Sequence, residues 1–118
     1  MKCILVVDDS ADFRRMLKRT LEQHGMEAIP VDTTEMARTV LAVKPIDAVM
    51  VDIVLGAENG WETLRLLREI SDVPILLMSG IDVDDDVRID AEKLGAQGVL
   101  KKPFETSELL NTLSQILK

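Results

Sequence analysis

Unbroken apolar runs of about five residues alternate along this chain with longer stretches in which apolar residues return every third or fourth position. The first pattern suits a strand buried on both faces and the second a helix with one apolar stripe, so their alternation predicts repeated βαβ units. Strands are predicted over residues 3–7, 27–31, 47–51, 74–78 and 97–101. The first helix is predicted within 10–25, where Phe13, Met16, Leu17 and Leu21 share a face, Ser10 is placed to cap and Gly25 to stop. A second lies within 33–45, capped by a threonine and ended before Pro45. A third occupies 59–70, and a fourth lies within 84–95, where Asp84, Asp85 and Asp86 favour a helix N-terminus. The last spans 106–118, with Leu109, Leu110, Leu113, Ile116 and Leu117 as its stripe.

Five βα units predict an α/β domain, an open, doubly wound three-layer sandwich whose five-stranded parallel sheet is crossed right-handedly and covered on both faces. No repeat, low-complexity tract or linker interrupts the pattern. One domain over residues 1–118 is expected, with no segment left over for an effector module.

Composition narrows the picture. With 47% apolar and 30% charged residues, the chain has the balance of an ordinary soluble domain. Its formal net charge of -7 and lack of a basic cluster argue against direct binding to nucleic acid or to an anionic membrane. The single cysteine, Cys3, cannot form an internal disulfide, and the opening apolar run is too short for a secretion signal. A reduced, cytoplasmic setting is expected, with Cys3 as a small core residue. His24 stands near a helix end, where the dipole favours it, and Trp61 and the six methionines fit helix faces and core gaps.

The residues that carry chemistry stand at strand ends. Asp8 and Asp9 follow the first strand, Asp52 the third, Ser79 the fourth and Lys102 the fifth. In open α/β sheets ligands collect beyond the carboxyl ends of the strands, where strand order reverses. With order 2-1-3-4-5 the first and third strands are neighbours, and the three carboxylates converge in one shallow cleft. Three like charges there push at least one pKa up unless a cation neutralises them. Mg2+ suits such a set, because it takes hard oxygen ligands and commonly binds one or two carboxylates together with phosphate oxygens. A carboxylate can also attack phosphorus to give an aspartyl phosphate, for which Asp52 is the candidate, with Lys102 and Ser79 supplying an ammonium and a hydroxyl. Singly, each residue has a plain structural reading: Asp9 or Ser10 as a helix cap, Asp52 as a solvated acid, Lys102 as a surface charge, Ser79 as a turn residue. Their joint placement at four strand ends favours a phosphoacceptor site.

The stretches VVDDS, MVDIVLGAENG (with Gly60 eight residues after Asp52), LLMSG and GAQGVLKKPF make the chain resemble a response-regulator receiver domain of two-component signalling over essentially its full length. The resemblance implies a flavodoxin-like fold and a phosphoryl group accepted on Asp52 from a sensor histidine kinase or histidine phosphotransfer protein. It implies that Asp9, Asp52 and the backbone carbonyl of Val54 bind Mg2+ directly, with Asp8 helping through water. It also implies that Lys102, rather than Lys101, contacts the phosphoryl group, and that the Lys102–Pro103 bond is cis. A downstream effector would be read through the fourth and fifth helices and the strand between them, and a phosphorylation-dependent homodimer is expected. Such a switch catalyses only its own phosphorylation and dephosphorylation.

Several positions depart from the family pattern. Gly56 replaces the usual proline four residues after Asp52 and is expected to loosen that loop. Val99 stands where an aromatic switch residue often occurs, which removes the ring whose swing is usually coupled to the site, while Ser79 can still be drawn to the phosphoryl group. Val54 and Ile81, at two sites where family members vary hydrolysis rate, are both apolar, which predicts a long-lived phosphoryl state.

The competing enzyme reading is a Mg2+-dependent phosphatase with an aspartate nucleophile. Such enzymes generally place a second acid two residues further on for leaving-group protonation, and that position here is Ser10. A flavin module would need a Ser/Thr/Gly-rich phosphate loop and stacking aromatics, whereas DDSADF is acidic and the chain has no Tyr, two Phe and one Trp. No Walker loop occurs.

Overall fold

The computed structural model describes residues 1–117. In chain order its elements are β1 (Cys3–Val7), α1 (Ala11–Gln23), β2 (Glu27–Val31), α2 (Thr34–Val43), β3 (Ala48–Asp52), β4 (Val54–Leu55), β5 (Glu58–Asn59), α3 (Gly60–Ile70), β6 (Ile75–Ser79), α4 (Asp85–Lys93), β7 (Gly98–Lys101) and α5 (Thr106–Ile116). The five longer strands form one parallel sheet of order β2-β1-β3-β6-β7. Leaving out the short β4 and β5, this is the expected order 2-1-3-4-5. β1 and β3 are neighbours, in register from Ile4 opposite Ala48 to Val7 opposite Val51.

Successive strand residues point to opposite faces, and both faces are covered, which is why the strands read as continuous apolar runs. Ile4 and Val6 enter a core shared with Leu17 and Leu21 of α1 and Leu109 and Leu113 of α5. Leu5 and Val7 enter the other, with Ala37 of α2, Leu64 and Leu67 of α3 and Ala91 of α4. Cys3 is buried in β1, and burial pushes its thiol pKa up, as befits a core residue.

Polar side chains start four of the helices. Ser10 Oγ accepts from the Phe13 N–H, Thr33 from Met36, Asn59 from Trp61 and Asp84 from Val87. At the other end of α1, His24 Nδ1 lies 2.9 Å from the Thr20 carbonyl and Gly25 takes a left-handed φ of 79°.

The structure departs from the pattern in particulars. Met16 is 48% exposed, because α1 centres its buried face on Leu17 and Leu21. In α5 only Leu109 and Leu113 are fully buried, and the expected end of that helix at Lys118 lies outside the described residues. β3 and β6 each run one residue further than predicted, so Asp52 and Ser79 belong to the strands themselves. The loop after Asp52, expected to be loosened by Gly56, instead closes into the β4–β5 hairpin, Val54 opposite Asn59 and Leu55 opposite Glu58. Gly56, at φ 54°, makes the turn, a conformation in which a side chain costs energy.

Candidate functional site

Beyond the carboxyl ends of β1, β3 and β7 the structure brings Asp8, Asp9, Asp52 and Lys102 together. Asp8, Asp9 and Asp52 each offer a carboxylate oxygen within 4.8 Å of the others. Lys102 Nζ donates to Asp8 Oδ2 at 2.7 Å and to Asp52 Oδ2 at 2.6 Å. Asp8 is fully buried and Asp52 nearly so, whereas Asp9 is exposed at the rim.

Local backbone fixes each group. The other oxygen of Asp8 accepts the Ser10 N–H at 2.8 Å, and its carbonyl accepts Arg14 Nη1 at 2.7 Å. The other oxygen of Asp52 accepts the Val54 N–H at 2.9 Å. Lys102 is anchored by its own N–H to the Ser79 carbonyl at 2.7 Å, and the Lys102–Pro103 peptide is cis. Gly60 explains the eight-residue spacing after Asp52. Its N–H donates to the Ile53 carbonyl at 2.7 Å, and a Cβ there would stand 2.2 Å from the Asp52 carbonyl oxygen.

Burial pushes the Asp8 carboxyl above the ordinary aspartate range, and the Lys102 ammonium and the Ser10 N–H offset this only in part. For Lys102 burial opposes the charge, but the hydrogen bonds and attraction of Asp52 and Asp8 outweigh it, and the pKa is raised. Lys102 is therefore a firmly charged ammonium between two acids. Lys102 pairs with two of the three carboxylates, Asp8 and Asp52, so the cluster retains negative charge. Its all-oxygen donor set, with Asp9 open to solvent, has the chemistry of a hard divalent cation site.

Two expected members stand differently. The Ser79 side chain is buried beside the site, but its hydroxyl bonds within its own loop, donating to the Ile81 carbonyl at 3.1 Å and accepting the Ile81 N–H at 3.2 Å. Lys101 points elsewhere and pairs with Asp82 at 3.2 Å. Val99 is buried in the core shared with α4, and Val54 and Ile81 are 59% and 60% exposed at the rim. Sequence reasoning missed Arg14 and Phe13. The sequence pattern places Phe13 only on the apolar face of the first helix and gives Arg14 no role, and no linear motif joins Phe13 to Lys102, whose ammonium sits 4.0 Å from the ring centroid.

A sequence profile of the response regulator receiver domain matches residues 4–114. The chain belongs to that family. Among receiver-containing relatives, it is 34% identical over 118 residues to the regulatory protein VirG of Agrobacterium fabrum, covering all of this chain and 47% of that protein. It is 32% identical over 120 residues to the phosphate regulon transcriptional regulatory protein PhoB of Pseudomonas aeruginosa, covering 99% of this chain and 52% of that one. The chain thus spans about half the length of these relatives. Among solved structures, the chemotaxis protein CheY4 of Vibrio cholerae superposes with a TM-score of 0.92 at 28% identity, covering 99% of both chains. The BeF3-activated N-terminal receiver domain of Klebsiella pneumoniae RstA superposes at 0.90 with 26% identity, again over 99% of each. Receiver domains are signalling switches that work with histidine kinases and downstream effectors, so phosphorylation-controlled signalling is the class of function to which this chain belongs.

Proposed function

We propose that this receiver accepts a phosphoryl group on Asp52 from a histidine kinase or histidine phosphotransfer protein in a Mg2+-dependent reaction, and that the modified form changes partner binding. The observation that carries this reading is the single ammonium of Lys102 spanning Asp8 and Asp52, with the Asp9 carboxylate within 4.8 Å. In the transfer, an Asp52 carboxylate oxygen attacks phosphorus, the new P–O bond forms, and the P–N bond to the donor imidazole breaks with its electron pair staying on nitrogen. Asp9, Asp52 and the Val54 carbonyl would hold Mg2+, with Asp8 acting through water. When bound, the ion would neutralise the equatorial phosphoryl oxygens.

Lys102 is already charged and fixed before reaction, so it needs little reorganisation to follow the new oxygens. Ser79 would leave its own loop to donate to the phosphoryl group. The added charge would shift a pre-existing equilibrium in the loops after β3 and β6. The readout face is α4, β7 and α5; a hollow of about 410 Å³ between α4 and β7 is lined by Arg88, Glu92 and Gln97 among others, and Ile89 of α4 is exposed. An effector, or a second phosphorylated copy, would dock there.

Residues 1–118 act as one receiver module in the cytoplasm, and the net charge of -7 keeps this module itself off nucleic acid. The test is intact mass after treatment with acetyl phosphate and Mg2+, comparing wild type with Asp52→Asn. One phosphoryl increment is expected in wild type and none in the variant; an increment that survives the substitution excludes Asp52.

A further inference from the structure

The aromatic ring beside Lys102 belongs to a closed circuit of contacts that begins and ends at Asp8. Asp8 Oδ1 accepts the Ser10 N–H at 2.8 Å, and Ser10 Oγ accepts the Phe13 N–H at 3.2 Å. The Phe13 ring centroid lies 4.0 Å from Lys102 Nζ, and Lys102 returns to Asp8 Oδ2 at 2.7 Å. The same carboxylate that receives the ammonium therefore also holds, through the cap of α1, the backbone that carries the ring. Phe104, two residues past Lys102, meets Phe13 edge to face, with centroids 6.0 Å apart and planes at 88°.

We propose that Phe13 is a positioning residue for Lys102 in phosphoryl transfer, holding the ammonium in place through the face of its ring. An ammonium has three N–H donors. Two go to Asp8 and Asp52. The ring attracts the remaining positive face by its quadrupole without offering a lone pair, so it steadies the cation but does not compete with phosphoryl oxygens for its hydrogen bonds. An aliphatic side chain of the same bulk would fill the space and leave that attraction out. With Lys102 only 18% exposed, the attraction acts in a partly desolvated setting, where it is strongest.

The inference rests on the reading of Asp52 as acceptor, and its test separates the two. Incorporation from acetyl phosphate at saturating Mg2+ is followed by intact mass in wild type, Phe13→Leu, Phe13→Met, Phe13→Trp and Asp52→Asn, alongside the NMR resonances of the Lys102 ε-methylene. The two ringless variants should lower the maximal rate about tenfold at unchanged half-saturating donor concentration, and Phe13→Trp should restore it to within about twofold. The ε-methylene protons, shielded by the ring in wild type and Phe13→Trp, should move to ordinary lysine positions in Phe13→Leu and Phe13→Met. Wild-type rates in the ringless variants, or equal slowing in Phe13→Trp, overturn the role of the ring. Mass gained by Asp52→Asn overturns the acceptor reading instead.

Discussion

At the scale of single residues, the site is a charge problem with one fixed cation. Asp8 is buried, and its pKa is raised by that burial. The folded state therefore holds a proton on Asp8 at a higher pH than the unfolded chain does. Its contribution to stability is fully present below the ordinary aspartate range and is lost as pH rises through the raised value. In metal-free buffer, wild type should accordingly lose stability relative to Asp8→Asn between acid and neutral pH, measured as urea midpoints of the two proteins. A relative gain over that interval would show that Asp8 is depressed rather than raised. Val54 and Ile81 present exposed apolar side chains, and the long-lived phosphoryl state expected from them requires that they hinder the attacking water. Val54→Asn should shorten the phosphoryl lifetime by about threefold or more, by admitting and orienting that water; unchanged decay of labelled protein would remove this role from Val54.

At the scale of elements, strand ends determine what the site can do. β3 includes Asp52 and β6 includes Ser79, so the proposed acceptor and the hydroxyl expected to serve it are both carried on the sheet. The hairpin after Asp52 is tied down on its far side. Glu58 accepts the Thr34 N–H at the start of α2, and the buried hydroxyls of Thr34 and Thr63 meet at 2.7 Å. Gly60 lets α3 begin against the Asp52 backbone. Gly60→Ala should cost about 1–3 kcal/mol, read as a lower urea midpoint at unchanged slope, because its Cβ would collide with backbone atoms that cannot move aside cheaply. Wild-type stability in that variant would mean that the contact relaxes freely.

The same elements explain what was legible in the sequence. The five long strands announce themselves through apolar runs buried on both faces, and the cap at Ser10 through short-range side-chain chemistry; the sequence places a threonine and a run of three aspartates at two later helix starts, and the structure selects Thr33 and Asp84 as the caps. β4 and β5 were missed because two-residue strands carry no periodicity. Met16 lies on the predicted apolar arc yet stays exposed, since the width of the buried stripe depends on the neighbouring layer rather than on the helix. The acids and Lys102 could be placed together because each stands at the carboxyl end of a predicted strand, given the order 2-1-3-4-5 that the structure then shows. The turning of the Ser79 hydroxyl into its own loop and the ring beside Lys102 depend on rotamers, which no spacing encodes.

At the scale of the whole molecule, the doubly wound sheet gathers at one edge residues separated by up to 94 positions, as Asp8 and Lys102 are. Family membership rests on the match across residues 4–114 and on the shared fold, and signalling follows from it. Of three neighbouring carboxylates, Asp52 alone is proposed to take the phosphoryl group. Reduction of the phosphorylated protein with borohydride converts an acyl-phosphorylated aspartate to homoserine, and peptide sequencing by mass spectrometry then locates it. Homoserine is expected at position 52 alone, formed only when Mg2+ was present during phosphorylation. Homoserine at position 8 or 9, or the same yield at 52 without the metal, would contradict it.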